Sequence, residues 1–176
     1  MIEEIELKEG VKAELQDKKL VVTGPKGALE RTFNYPGIKT DAQNNKVTIK
    51  TSSEKNKMKK IIKTWAAHVK NMIRGAEKGF EYRLKIASSH FPISASAKDN
   101  TVIIKNFMGE KKDRKARIMP GSQVKIQGTE IIVESADREK AGQTAANIEK
   151  ATRVTNKDRR TFMDGIYIIQ KPGREE

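Results

Sequence analysis

The sequence contains no cysteine, so neither a disulfide framework nor a thiolate zinc site can form. Histidine is almost as scarce. His68 and His90 are the only two, and no carboxylates cluster with them in the sequence to complete a metal site. No cofactor is expected. Aromatic residues make up 5% of the chain, too few for a platform that stacks unpaired bases. No apolar run approaches the roughly 20 residues that a membrane span requires. The N-terminal MIEEIELKEG lacks the basic start and apolar core of a secretory signal, so a cytoplasmic chain is expected. Catalytic motifs are missing as well. There is no Gly-x-Ser-x-Gly, and Asp158 and Asp164, which flank Arg159-Arg160, read as turn and salt-bridge residues rather than a dyad. Neither an enzyme nor a small-molecule substrate is expected.

Gly24-Pro-Lys-Gly27 fits the Gly-x-x-Gly of a KH domain, but that loop joins two helices. Here strand-like Leu20–Thr23 precedes it and strand-like Ala28–Phe33 follows, so a β-turn is the plain reading. It is also too short for a phosphate-binding P-loop.

Positive charge is what the chain has in excess. Its 176 residues hold 36 Lys plus Arg against 23 Asp plus Glu, a net charge of +13. A field of that size attracts polyanions. Nucleic acid is the commonest such partner, and an acidic membrane surface is the other. Cut at Ser88, the halves carry +8 and +5, so the charge is spread over the chain and not held on a tail. Arginine is spread less evenly: Arg31, Arg74 and Arg83 lie in the first half, and the other seven in the second. Arginine presents a planar fork that pairs phosphate oxygens. The second half is therefore the expected main RNA grip.

The chain reads as a duplication. Val11–Val22 aligns with Ile93–Ile104 at an offset of 82, matching Ala13 with Ala95 and Asp17 with Asp99. Val47-Thr-Ile49 aligns with Ile131-Ile-Val133 at offset 84, as does Thr51 with Ser135. Phe80-Glu-Tyr82 aligns with Gly165-Ile-Tyr167 at offset 85, and both are expected to be closing strands. In the first copy, strands are expected at Val11–Leu15, Leu20–Thr23, Leu29–Phe33 and Val47–Lys50, with turns at Asp17-Lys18-Lys19 and, in the second copy, at Asp99-Asn100. Thr51-Ser-Ser-Glu54 reads as a capping box with Thr51 as N-cap. Met58, Ile61, Ile62, Trp65, Val69, Met72, Ile73 and Ala76 then recur at helical spacing. The second helix begins after Ser135 and buries Ala141, Ala145, Ile148 and Thr152, whose small size implies close packing on a sheet. The predicted fold is α+β, with two tandem duplicated domains, 1–88 and 89–176. Each is a mostly antiparallel β-sheet packed with one main α-helix, at about 52–78 and about 136–153.

Three basic clusters stand out. Lys59, Lys60, Lys63, Lys70, Arg74 and Lys78 form a stripe on the first helix, either a solvated face or a second contact with RNA or protein. Lys55, Lys57, Lys59 and Lys60 crowd that helix's N-terminus, against its macrodipole. The second cluster is Lys111, Lys112, Arg114, Lys115 and Arg117. The third runs from Lys150 to Arg160 and includes Arg153, Lys157, Arg159 and Arg160. Part of that run stabilises a helix C-terminus. Arg159-Arg160 lies past the helix, where RNA phosphate is the better explanation.

These residues carry a family resemblance that covers nearly the whole chain. Val22-Thr-Gly-Pro-Lys-Gly27 with Leu29, and Gly142-Gln-Thr-Ala-Ala-Asn-Ile148, resemble segments of the universal large-subunit ribosomal protein six family. Lys157, Arg160, Phe162, Asp164-Gly-Ile-Tyr-Ile168 and Lys171 are similar to the signature of its archaeal and eukaryotic form. Lys150 stands where that pattern leads one to expect Gln. The resemblance implies a duplicated two-domain fold and a structural role in the large subunit. It also implies binding to large-subunit rRNA near the sarcin–ricin loop and the base of the factor-binding stalk, beside neighbouring ribosomal proteins. In that reading Lys157, Arg159, Arg160, Lys171 and Arg174 face rRNA, joined by the Lys111–Arg117 cluster and Arg153. A free RNA-binding regulator or RNA chaperone is the alternative.

Overall fold

Leu20 and Val22 are fully buried and alternate with Lys19, Val21 and Thr23, a period-two pattern that a half-buried strand requires. In the computed structural model this segment is β3 (Lys19–Gly24), the centre of an antiparallel sheet between β2 (Lys12–Gln16) and β4 (Gly27–Thr32). The structure describes residues 2–43, 45–51, 55–158 and 160–173. A second antiparallel sheet has the order β1 (Ile2–Glu6), β6 (Lys46–Thr51), β5 (Ile38–Gln43). The helix α1 (Asn56–Glu77) closes this first unit over a core that includes Leu20, Val22, Val47, Ile49, Ile62 and Val69. Its predicted apolar stripe is buried or half-buried throughout, and Trp65 packs against Phe33 with ring centroids 5.0 Å apart.

The turn Gly24–Gly27 acts on that helix. Lys26 N–H donates to the Ala76 carbonyl at 2.9 Å, satisfying an acceptor left open by the helix end. A Cβ on Gly24 would lie 2.6 Å from the same oxygen, so only glycine fits there. The turn is structural, as its strand-like flanks predict.

The second unit repeats the plan. β8 (Ser94–Lys98), β9 (Thr101–Lys105) and β10 (Arg114–Arg117) form one antiparallel sheet. β11 (Ser122–Gln127), β12 (Glu130–Ser135), β7 (Phe80–Ala87) and β13 (Gly165–Gln170) form the other, in that order. The helix α2 (Arg138–Ala151) packs on β7, β10, β12 and β13. Ala141, Ala145, Ile148 and Thr152 are all buried, as predicted. The approach is close because the residues are small: a Cβ on Gly142 would lie 2.9 Å from the Tyr82 hydroxyl.

The two units match in detail. Thr51 Oγ1 donates to the Gly37 carbonyl at 2.8 Å, and Ser135 Oγ donates to the Gly121 carbonyl at 2.8 Å. Asp17 and Asp99 turn their hairpins with φ of 55° and 52°. Phe33 N–H reaches Lys18 O, and Ile118 N–H reaches Asn100 O.

Three expectations are corrected. Thr51 does not cap α1. It ends β6 in register with Ile38, and its hydroxyl is engaged by Gly37 O. The helix instead begins after Lys55, which makes no side-chain cap; Glu54 lies outside the described residues. Phe80-Glu-Tyr82 does not close the first sheet. It opens β7, which pairs with β12 as β1 pairs with β6, and which takes β13 on its other side. The division between units therefore falls between Gly79 and Phe80 rather than at Ser88. β1 and β5 were not among the predicted strands, since IEEIE and IKTDAQ carry little apolar signal.

Candidate nucleic-acid interface

Alternation on β10 sorts its cations. Arg114 and Ala116 share register with Ile104 and Val102 and turn inward, so Lys115 and Arg117 turn outward and are exposed. Arg114, expected among the RNA contacts, is an internal strut. Its Nε and Nη2 donate to the two Glu110 carboxylate oxygens, and Nη1 donates to Ala151 O at 2.9 Å and Arg153 O at 3.2 Å. Its guanidinium also lies 4.1 Å from the centre of the buried Phe107 ring. The hydrogen bond from Arg114 holds the Glu110 carboxyl below the ordinary carboxylate range, against a smaller upward push from burial.

This strut has a consequence for the interface. It ties β10 to the C-terminal end of α2, and Asn147 Nδ2 adds a bond to Arg117 O at 3.0 Å. The segments Lys111–Arg117 and Lys150–Arg160, separate in sequence, are thereby tied together within the second unit. Lys111 and Lys112 are exposed in the loop before β10, and Lys171 is exposed after β13.

The loop after α2 is built on hydrogen bonds. Thr152 Oγ1 accepts from Ile166 N–H at 2.9 Å, which fixes where the chain re-enters the sheet. Arg153 is exposed beside buried Val154. Arg160 is 92% exposed, and its guanidinium grips Asp158, with Nη2 3.0 Å from Oδ2. That side-chain bond, with a backbone bond from Arg160 N–H, lowers the Asp158 pKa. Arg159 and Arg174 lie outside the described residues.

Asp164 anchors the loop's end and is only 1% exposed. Its Oδ1 accepts from the Ser89 and His90 backbone N–H groups, and its Oδ2 pairs with His90 Nδ1 at 2.6 Å. Burial pushes its pKa up, but the bonds from the His90 ring and the two N–H groups outweigh that push, and the carboxyl is held below its ordinary value. An ionised carboxylate accepts only, so His90 Nδ1 carries the proton in this pair. The His90 ring stacks on Phe162 at 5.1 Å, and Lys157 Nζ sits 4.6 Å from the centre of that same ring. The pairing of His90 with Asp164 is not legible in the sequence, because 74 residues separate the partners and no local pattern links them.

The helix stripe belongs to the first unit. Lys59, Lys60, Lys63, Lys70 and Lys78 are exposed and Arg74 is half-buried. His68 Nδ1 lies 2.8 Å from Arg31 Nη1. Among the described residues no group of three or more His, Asp or Glu could hold a metal ion. No helix among them is long and apolar enough to cross a membrane.

Comparison with known proteins adds to this geometry. The family model described as ribosomal protein L6 matches residues 8–79 and 91–165, one stretch in each unit. The large ribosomal subunit protein uL6 of Aeropyrum pernix is 45% identical over 172 residues, covering 97% of this chain and 94% of the relative. Proteins of the same name from Methanosarcina mazei and Methanococcus vannielii are each 44% identical, over 95% and 98% of this chain and over 95% and 94% of their own lengths.

Proposed function

The chain belongs to the ribosomal protein L6 family, and we propose that it is a structural, non-catalytic constituent of the large ribosomal subunit that binds large-subunit rRNA. The observation that carries this reading is the joining of two basic clusters by Arg114, which sets Lys115, Arg117, Arg153, Lys157 and Arg160 on one unit. The mechanism is architectural. Lysine and arginine displace counterions from phosphates and hold rRNA helices in one geometry. The scarcity of aromatic side chains favours phosphate, sugar and shape contacts over base stacking.

The ribosome of the cytoplasm is the corresponding location, with neighbouring large-subunit proteins as further partners. The resemblance of the Lys157–Lys171 segment to the family's signature supports a position near the sarcin–ricin loop and the base of the factor-binding stalk. Gradient sedimentation of a lysate from the source cells tests the reading. The protein is expected to travel with the large subunit and to leave it only at high salt. Protein remaining at the top of a low-salt gradient would favour a free RNA-binding regulator instead.

A further inference from the structure

The inner residues Val102, Ile104 and Ala116 of the β8–β9–β10 sheet supply the core, and none of the residues on its outer face belongs to that core. On β8, Ala95 and Ala97 align with Ile104 and Val102, which leaves Ser94, Ser96 and Lys98 on the outer side. On β9 the outer residues are Thr101, Ile103 and Lys105, and on β10 they are Lys115 and Arg117. The register sets Lys98, Thr101 and Arg117 in one row and Ser96, Ile103 and Lys115 in the next. Four cations and three hydroxyls share the face with one aliphatic side chain, and no carboxylate points outward from these strands. The nearest acids in sequence, Asp99 and Asp113, sit in the flanking turn and loop. None of the four cations has an ion-pair partner among the described residues.

The first unit supplies an internal control. The matching face of β2–β3–β4 shows Lys12, Glu14 and Gln16, then Lys19, Val21 and Thr23, then Ala28, Glu30 and Thr32. Its two lysines are balanced by two glutamates, and Lys19 Nζ meets Glu30 Oε2 at 2.6 Å. The fold therefore does not require an unbalanced face. Lys115 and Arg117 stand about 7 Å apart along one strand, within the range over which two like charges repel.

We propose that the outer face of the β8–β9–β10 sheet is an RNA-docking surface that extends the grip of Lys115 and Arg117 across the sheet to Lys98 and Lys105, the four lying on a sugar–phosphate backbone. This rests on the RNA-binding reading above and extends it from the loops to the sheet. Ser94, Ser96 and Thr101 offer hydroxyls that can donate to phosphate oxygens or exchange bonds with ribose 2′-hydroxyls. The face meets backbone and shape rather than bases, because it carries no aromatic ring. A lipid surface fits less well, since Ile103 is the one apolar side chain available to enter it.

The test measures binding of the full chain to purified large-subunit rRNA across a salt series. Changing Lys98 and Lys105 together to Gln, with Lys115 and Arg117 kept, is expected to weaken binding about 5-fold at moderate salt. The slope of log affinity against log salt becomes shallower by about one for each phosphate that is no longer neutralised. Lys12→Gln with Lys19→Gln, on the balanced face, changes affinity less than about 2-fold, because that face neutralises no phosphate. Melting curves verify that both variants fold. A folded Lys98 and Lys105 variant with wild-type affinity and slope overturns the proposal while leaving the RNA reading intact. Wild-type protein that fails to bind rRNA overturns the RNA reading itself. If that variant keeps its rRNA affinity and no longer binds phosphatidylserine vesicles, the face belongs to a membrane instead.

Discussion

Thr51 and Ser135 make the same bond, each to the carbonyl of a glycine that follows a proline, at the same 2.8 Å, in two units that share little sequence identity. A few residues away the units part company. Lys19 of the first sheet is neutralised by Glu30, whereas Lys98, Lys105, Lys115 and Arg117 of the second face solvent with no acid among them. The first unit ends its sheet at β1, and the second covers the equivalent strand, β7, with β13. The loop leading into β13 carries the Asp164 anchor, and the first unit has no counterpart to it among the described residues. Duplication preserved what folding needs, the inward residues and the buried hydroxyl. The outward residues of the two three-stranded sheets differ, with unbalanced cations in the second copy and lysines matched by glutamates in the first.

That contrast can be broken at several points. The largest effects belong to the shared interior. Ile62→Ala and Ile148→Ala each remove a fully buried side chain from equivalent helices, and each is expected to cost about 3 kcal/mol in denaturant unfolding. A cost in one unit only would show that the interiors are less alike than they look.

Asp164→Asn acts on the second unit alone. It removes the charge that holds Ser89 and His90, at an expected cost of about 2 kcal/mol. The carboxyl's folded pKa lies below its ordinary value of 3.8, so its contribution is full well above that value. It is lost as pH falls through the folded value. Unfolding measured from pH 7 down to pH 2 should therefore show a steeper acid decline in wild type than in the Asn variant. Parallel curves would mean the clamp is silent.

Thr51→Val and Ser135→Ala each orphan a glycine carbonyl, at about 1–2 kcal/mol. The two costs are expected to be alike, because each hydroxyl donates to its glycine carbonyl at 2.8 Å. A clear difference in chemical denaturation would sink the equivalence of the two devices. The smallest effect separates the charged surfaces. Arg159→Glu with Arg160→Glu should weaken rRNA binding about 10-fold, more than Lys59→Glu with Lys63→Glu. Equal weakening in a filter-binding titration would place the grip on both units.

The stripe on α1 was legible because helical periodicity is local: Ile62, Val69, Ile73 and Ala76 declare one face within a few turns. The strand pairs β2–β3 and β8–β9 were legible for the same reason, with an aspartate at each turn. The duplication was legible through Asp17 and Asp99, Thr51 and Ser135. Thr51 itself was misread, since a hydroxyl before a helix looks like a cap whether it bonds the helix or a glycine across the sheet. Arg114 was misread as a surface cation, because its partners at Ala151 and Arg153 are distant in the chain.

The sequence by itself determined the repeat, the two amphipathic helices and the excess of arginine in the second copy, all of which are written in residue order and composition and need no knowledge of which segments touch. Only the tertiary structure decided that Phe80–Ala87 joins the second sheet. It alone showed that Arg114 faces inward while Lys115 and Arg117 face out, and that Asp164 closes on His90. Each of those outcomes depends on which distant backbone comes within hydrogen-bonding reach, and strand register and packing settle that after the chain has folded.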